Sequence, residues 1–124
     1  MYRVKVIKSF SSAHNLRGYE GNCENIHGHN WKVEAALRGG SLDKVGMLAD
    51  FRIVKKALKD IIDDLDHKYL NEHPAFETVN PTSENLACYI FRELEKTFPA
   101  MVDRVTVWEN EDAAAEYFNI SCEI

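Results

Sequence analysis

Long apolar runs are missing from this 124-residue chain. No stretch approaches the roughly 18 residues needed to cross a bilayer, which excludes a membrane span. Cysteine is scarce and unpaired: Cys23, Cys88 and Cys122 are odd in number, widely separated and without a CxxC spacing. No charged-then-apolar leader opens the sequence, and the pattern as a whole predicts a reducing, cytoplasmic setting. A basic excess is also missing. Lys and Arg total 15 against 20 Asp and Glu, a net charge of -5, and the cations are scattered among acids. Nucleic acid is therefore a disfavoured partner. There is no internal repeat and no low-complexity linker.

What is present reads as one globular unit. The hydrophobic share of 45% and the charged share of 28% are ordinary for a soluble protein. The length suits a single compact domain over 1–124, burying about two-thirds of the surface its unfolded chain exposes.

Periodicity supplies the elements. Tyr2, Val4 and Val6 alternate with Arg3 and Lys5, and Trp31, Val33, Ala35 and Leu37 alternate with Lys32, Glu34 and Arg38. A period of two predicts strands with one covered face. Asn15 to Asn25, with Gly18 and Gly21, reads as a long loop between two antiparallel strands. Asp50 stands where a helix N-cap belongs, followed by Val54, Leu58, Ile61, Ile62 and Leu65 at helical spacing. Asn80-Pro81 reads as a second helix start, with Pro81 at the first helical position and Glu84 in the first turn. Leu86, Ala87, Ile90, Phe91, Leu94 and Phe98 form that helix's apolar face, and Pro99 closes it. Val105, Val107 and Glu109 then share one strand face, and a last strand is expected from Ala114 to Cys122. The fold class is α+β, a four-stranded antiparallel sheet with two helices on one face. Its two open edges predict a homo-oligomer.

Histidines carry the chemistry. His27 and His29 are two apart and share parity with Trp31, so both face the covered side, where an imidazole needs a partner. His14 ends the preceding strand, opposite them. Three neutral imidazoles with an open fourth position suit a catalytic Zn2+. Cys23, four residues before His27, is either a thiol poised to ionise beside that cation or a fourth ligand that would make the site structural. Cys88 and Cys122 are expected in the core. Asp66-His67 is either a proton-transfer unit or a helix-end cap. His73 reads as a surface residue. Glu109, a carboxylate on an apolar face, requires donors: an internal Arg, or a heterocycle presenting two adjacent N–H groups.

Taken together, Ser12-Ala13-His14, Cys23-x-x-x-His27-Gly28-His29, Leu65-Asp66-His67, Pro81-Thr82-Ser83-Glu84-Asn85 and Trp108-Glu109 resemble the 6-pyruvoyltetrahydropterin synthase and 6-carboxytetrahydropterin synthase family over nearly the whole chain. The resemblance implies the ββααββ tunnelling fold. Its subunits join sheets into a barrel, as a trimer or a hexamer of two trimers, with active sites between subunits. It implies zinc on His14, His27 and His29, Cys23 as proton acceptor, and Asp66 with His67 as a relay that can serve a neighbour's Cys23. It also implies Glu109 as the pterin anchor and Thr82, Ser83 and Glu84 as a second pterin-contacting stretch.

The implied substrate is 7,8-dihydroneopterin triphosphate, for whose charge a metal would compensate in this acidic protein. The three-residue gap between Cys23 and His27 resembles the bacterial carboxy type, which releases triphosphate and acetaldehyde on the path to queuosine. The pyruvoyl type tautomerises the side chain instead. Asn110 departs from the Thr that many relatives carry after Glu109. Two other readings compete. A cupin metal motif is approximated by Gly21, His27, His29 and Glu34, but Glu34 has the wrong parity. A zinc-stabilised module that binds a pterin or purine without turnover is the non-enzymatic alternative.

Overall fold

Both alternating stretches form strands. In the computed structural model, which describes residues 1–19, 21 and 25–120, β1 (Tyr2–His14) pairs antiparallel with β2 (His27–Gly39), so that His14 faces His27 and Phe10 faces Trp31. β3 (Val102–Trp108) pairs with β2, and β4 (Ala114–Phe118) with β3, giving the order β1-β2-β3-β4. The last strand is thus shorter than its expected reach to Cys122. Asn119 and Ile120 are already exposed beyond it, and Cys122 lies outside the described residues.

The helices are α1 (Phe51–Asp63) and α2 (Ser83–Thr97). Asp50 caps α1 by accepting from the Arg52 N–H, as its position predicts. α2 begins later than the proline suggests. Thr82 is the cap, its hydroxyl accepting from the Asn85 N–H, and Pro81 stands outside the helix instead of at its first position. Pro81 keeps its carbonyl free of the helix and available to another group.

The core lies between the sheet and the helices. Val6, Phe10, Trp31, Val33, Leu37, Val105 and Val107 meet Val54, Leu58 and Ile62 of α1 and Leu86, Ile90, Phe91 and Leu94 of α2, all buried. Each such side chain contributes about 1.5–3 kcal/mol over leaving it in water. Cys88 is only half-buried, short of the core position expected for it, and its sulfur accepts from Arg92 Nε at 3.3 Å. His73, expected at the surface, is 9% exposed. Its Nε2 donates to Asp64 Oδ2 at 2.6 Å while its Nδ1 accepts from the Ala75 N–H at 3.1 Å, and its ring meets Phe76 and Tyr89. Burial, reinforced by Glu93 and Asp64, pushes the Tyr89 phenol up to about 12.

One expected open edge is partly covered. After α1 the chain returns along β1: the Ser11 N–H donates to Asp66 Oδ1 at 2.9 Å, the His67 N–H to the Ser11 carbonyl at 2.6 Å, and the Ala13 N–H to the Lys68 carbonyl at 2.9 Å. Ser12 Oγ bridges the Leu65 carbonyl and the Lys68 N–H. Two short 3-10 turns follow, at Leu70–Glu72 and Pro74–Phe76. Backbone groups that would invite an intruding strand are satisfied within the chain over this part of the edge.

Candidate metal centre

The register of β1 and β2 brings the three histidines together. His14, His27 and His29 share the covered face at the mouth of the sheet, with ring centroids 4.5–5.1 Å apart. Trp31 forms the floor, buried and edge-on to His14 and His29, with its indole N–H donating to the Ser12 carbonyl at 3.2 Å. Glu109 reaches in from the end of β3, as its parity with Val105 and Val107 requires. One potential ligand atom from each of His14, His27, His29 and Glu109 lies within 4.8 Å of the others.

Backbone carbonyls orient two of the rings. His14 Nδ1–H donates to the Pro81 carbonyl at 2.8 Å and His27 Nδ1–H to the Asn25 carbonyl at 2.7 Å. In the neutral ring this leaves Nε2 as a lone pair. Burial lowers the pKa of His14, aided by His27 and His29 and opposed by the Pro81 carbonyl and Glu109. Burial likewise lowers the pKa of His29, against the pull of Glu109. Both imidazoles are therefore neutral at pH 7.

Glu109 Oε1 lies 3.3 Å from His14 Nε2 and 3.0 Å from His29 Nε2, the spacing of an ion pair. Neutral rings do not make one. Both Nε2 atoms are buried and, among the described residues, lack an aligned hydrogen-bond partner. For His14, whose Nδ1 carries the proton, an Nε2 lone pair facing a carboxylate is unfavourable unless a cation lies between them. Three imidazole nitrogens are ligands that zinc favours, so His14, His27 and His29 fit that ion, with the Glu109 carboxylate within reach beside them.

The remaining expected site residues fall in three places. Asp66 and His67 pair at 2.9 Å (Oδ2 to Nδ1) on the β1 edge, with His67 83% exposed and in the left-handed region at φ 54°. The Ser11 N–H, then His67, holds the Asp66 carboxyl below the usual range. His67 and His29 line one depression of about 470 Å³. Thr82, Ser83 and Glu84 start α2, and their stretch meets the centre through the Pro81 carbonyl. Cys23 lies outside the described residues. The carbonyls of Pro81 and Asn25 carry no side-chain signal, so sequence reasoning missed them. Trp31 was legible only as core.

Fold and centre together define an α+β protein with a three-histidine, one-carboxylate site suited to a divalent metal. The chain belongs to the 6-pyruvoyl tetrahydropterin synthase family, whose sequence pattern matches residues 3–119. It is similar to the putative 6-carboxy-5,6,7,8-tetrahydropterin synthase of Archaeoglobus fulgidus, at 39% identity over 91% of this chain and 92% of that protein. It is also similar to the 6-carboxy-5,6,7,8-tetrahydropterin synthase of Synechocystis, at 35% identity over 90% of this chain and 88% of that protein. Among solved structures, the 6-pyruvoyl tetrahydropterin synthase of Caenorhabditis elegans superposes with a TM-score of 0.87 at 30% identity, covering 96% of each chain. The protein is accordingly an enzyme of this family, a lyase similar to 6-carboxytetrahydropterin synthases. Among the described residues, no helix is long and apolar enough to cross a membrane.

Proposed function

We propose that residues 1–124 act as one tetrahydropterin synthase domain. It converts 7,8-dihydroneopterin triphosphate to 6-carboxy-5,6,7,8-tetrahydropterin with release of triphosphate and acetaldehyde, in the queuosine pathway. The observation that carries this reading is the convergence of the His14 and His29 Nε2 atoms, buried and without an aligned hydrogen-bond partner among the described residues, on the Glu109 carboxylate. The similarity to two 6-carboxy synthases supports the choice of product.

His14, His27 and His29 hold the zinc. Bound there, the ion supplies Lewis acidity toward the substrate's side-chain hydroxyls. Glu109, one-third exposed, accepts from adjacent N–H groups of the pterin ring and fixes its orientation, while Thr82, Ser83 and Glu84 contact the same ring. Cys23 removes the proton from the side-chain carbon, and His67, oriented by Asp66, moves it onward. The exposure of His67 suits service to a second copy, in a cytoplasmic trimer or hexamer.

The test is incubation of the zinc-loaded protein with 7,8-dihydroneopterin triphosphate, assaying acetaldehyde and triphosphate together. Both are expected. Triphosphate without acetaldehyde assigns the pyruvoyl reaction, which the C. elegans likeness favours. Binding with neither product leaves a non-catalytic pterin module.

A further inference from the structure

β1 stops pairing with β2 at His14, yet its outer edge stays paired. Asn15 and Arg17 continue the two-residue period of Ser11 and Ala13, and each presents its backbone N–H and C=O to a single side-chain amide. Asn71 Oδ1 accepts from the Asn15 N–H at 2.9 Å, and Asn71 Nδ2 donates to the Asn15 carbonyl at 2.9 Å. Asn80 repeats the arrangement on Arg17, accepting at 2.9 Å and donating at 3.0 Å. A carboxamide carries a donor and an acceptor side by side, as a peptide group does. Two asparagines thus take the place of a neighbouring strand where, among the described residues, no strand runs.

The Arg17 guanidinium closes the arrangement by donating to the carbonyls of Asn71, Phe76 and Val79, at 3.1, 2.8 and 3.3 Å. These contacts draw the chain between the two amides against the same stretch. Asn80 is itself fixed, its carbonyl accepting from Asn85 Nδ2 at 2.8 Å. The next carbonyl, that of Pro81, orients the His14 ring. The backbone of His14 lies one residue before the first clipped position, and its ring is held one residue after the second clip.

We propose that Asn71 and Asn80 are positioning residues of the metal centre, two amides that fix the backbone and the ring of His14 on one frame. The proposal rests on the reading of His14, His27 and His29 as metal ligands. The Pro81 carbonyl is the partner one step out from the ligand and sets where its nitrogen points; the two amides act one step further, by holding the backbone on either side.

Co(II) is the probe, since its visible absorption reports the geometry of the ligands around it. In the full chain, Asn80→Asp and Asn71→Asp keep the shape and the acceptor but set a second acceptor against a backbone carbonyl. Asp50→Ala, which removes the α1 cap far from the clips, controls for simple loss of stability. Both asparagine variants are expected to bind Co(II) about tenfold more weakly, by chelator competition, with displaced absorption bands. The control should melt earlier with unchanged affinity and spectrum. Should the more buried Asn71→Asp fail to fold, Asn80→Asp decides alone. Wild-type affinity and spectrum in Asn80→Asp, whatever its melting temperature, overturns the proposal. A wild-type protein that takes up no Co(II) overturns the metal reading and this inference with it.

Discussion

His14 and Pro81 are joined by a hydrogen bond of 2.8 Å from Nδ1–H to the carbonyl oxygen, linking the last residue of β1 to the residue before the cap of α2. The bond selects the ring tautomer, and with it the nitrogen that faces Glu109. His14→Gln should therefore lower metal affinity by more than the roughly 10–100-fold that follows loss of an outer partner, because a ligand goes as well as its orientation. Metal content after dialysis measures this. Retention of one full equivalent would show that the other residues suffice.

Glu109 separates two roles. Glu109→Gln keeps the shape but removes the charge between His14 and His29. Pterin binding is expected to weaken roughly 10–100-fold, matching loss of about 1.5–3 kcal/mol of charge-assisted bonding. Metal should be retained. Metal analysis and ligand titration on one sample read both, and loss of the metal instead would make Glu109 a ligand.

Cys23→Ala is expected to abolish turnover with zinc content and fold unchanged. If the zinc leaves with the thiol, Cys23 is part of the coordination shell and is not the base.

Acid should destabilise the metal-free protein early. His14 and His29 have pKa values lowered from 6.5 by burial. As pH falls through about 6.5, the unfolded chain takes up protons that the folded one refuses, so folding stability falls and keeps falling down to the folded-state values. The melting temperature of chelator-treated protein should drop between pH 7.5 and 5.5, and less so with metal bound. A flat profile without metal would show that burial does not hold these rings neutral.

Thr82→Ala removes the hydroxyl that accepts from the Asn85 N–H. The cost is about 1 kcal/mol, or roughly 3–5 °C in Tm for a chain of this size. Thr82→Ser should restore most of it in a thermal melt. An unchanged Tm in Thr82→Ala would remove Thr82 from the capping role.

Local rules made part of this legible. The parity of His27 and His29 with Trp31 placed them on the covered face, and antiparallel pairing offered a way to bring His14 opposite them, which the register bears out. Asp50 was readable as a cap because the rule spans only two residues. What failed depended on contacts distant in sequence. Pro81 looks like a first helical residue until Thr82 is seen to satisfy the Asn85 N–H. His73 looks exposed beside Pro74, yet Asp64 and Tyr89 close over it. The amide clips join residues more than 50 positions apart, and nothing in the run Asn15 to Asn25 distinguishes a held edge from a free loop. The bulge between Ala36 and Leu37 leaves no compositional trace either.

Trp31 makes the centre optically self-reporting. It is one of only two tryptophans, is shut off from solvent, and sits 4.9 and 5.2 Å from the His14 and His29 rings. The other, Trp108, lies under the Lys32 ammonium at 4.8 Å. A quenching ion that enters among the imidazoles should dim the buried indole, so loading of the centre can be followed by intrinsic fluorescence without any added label.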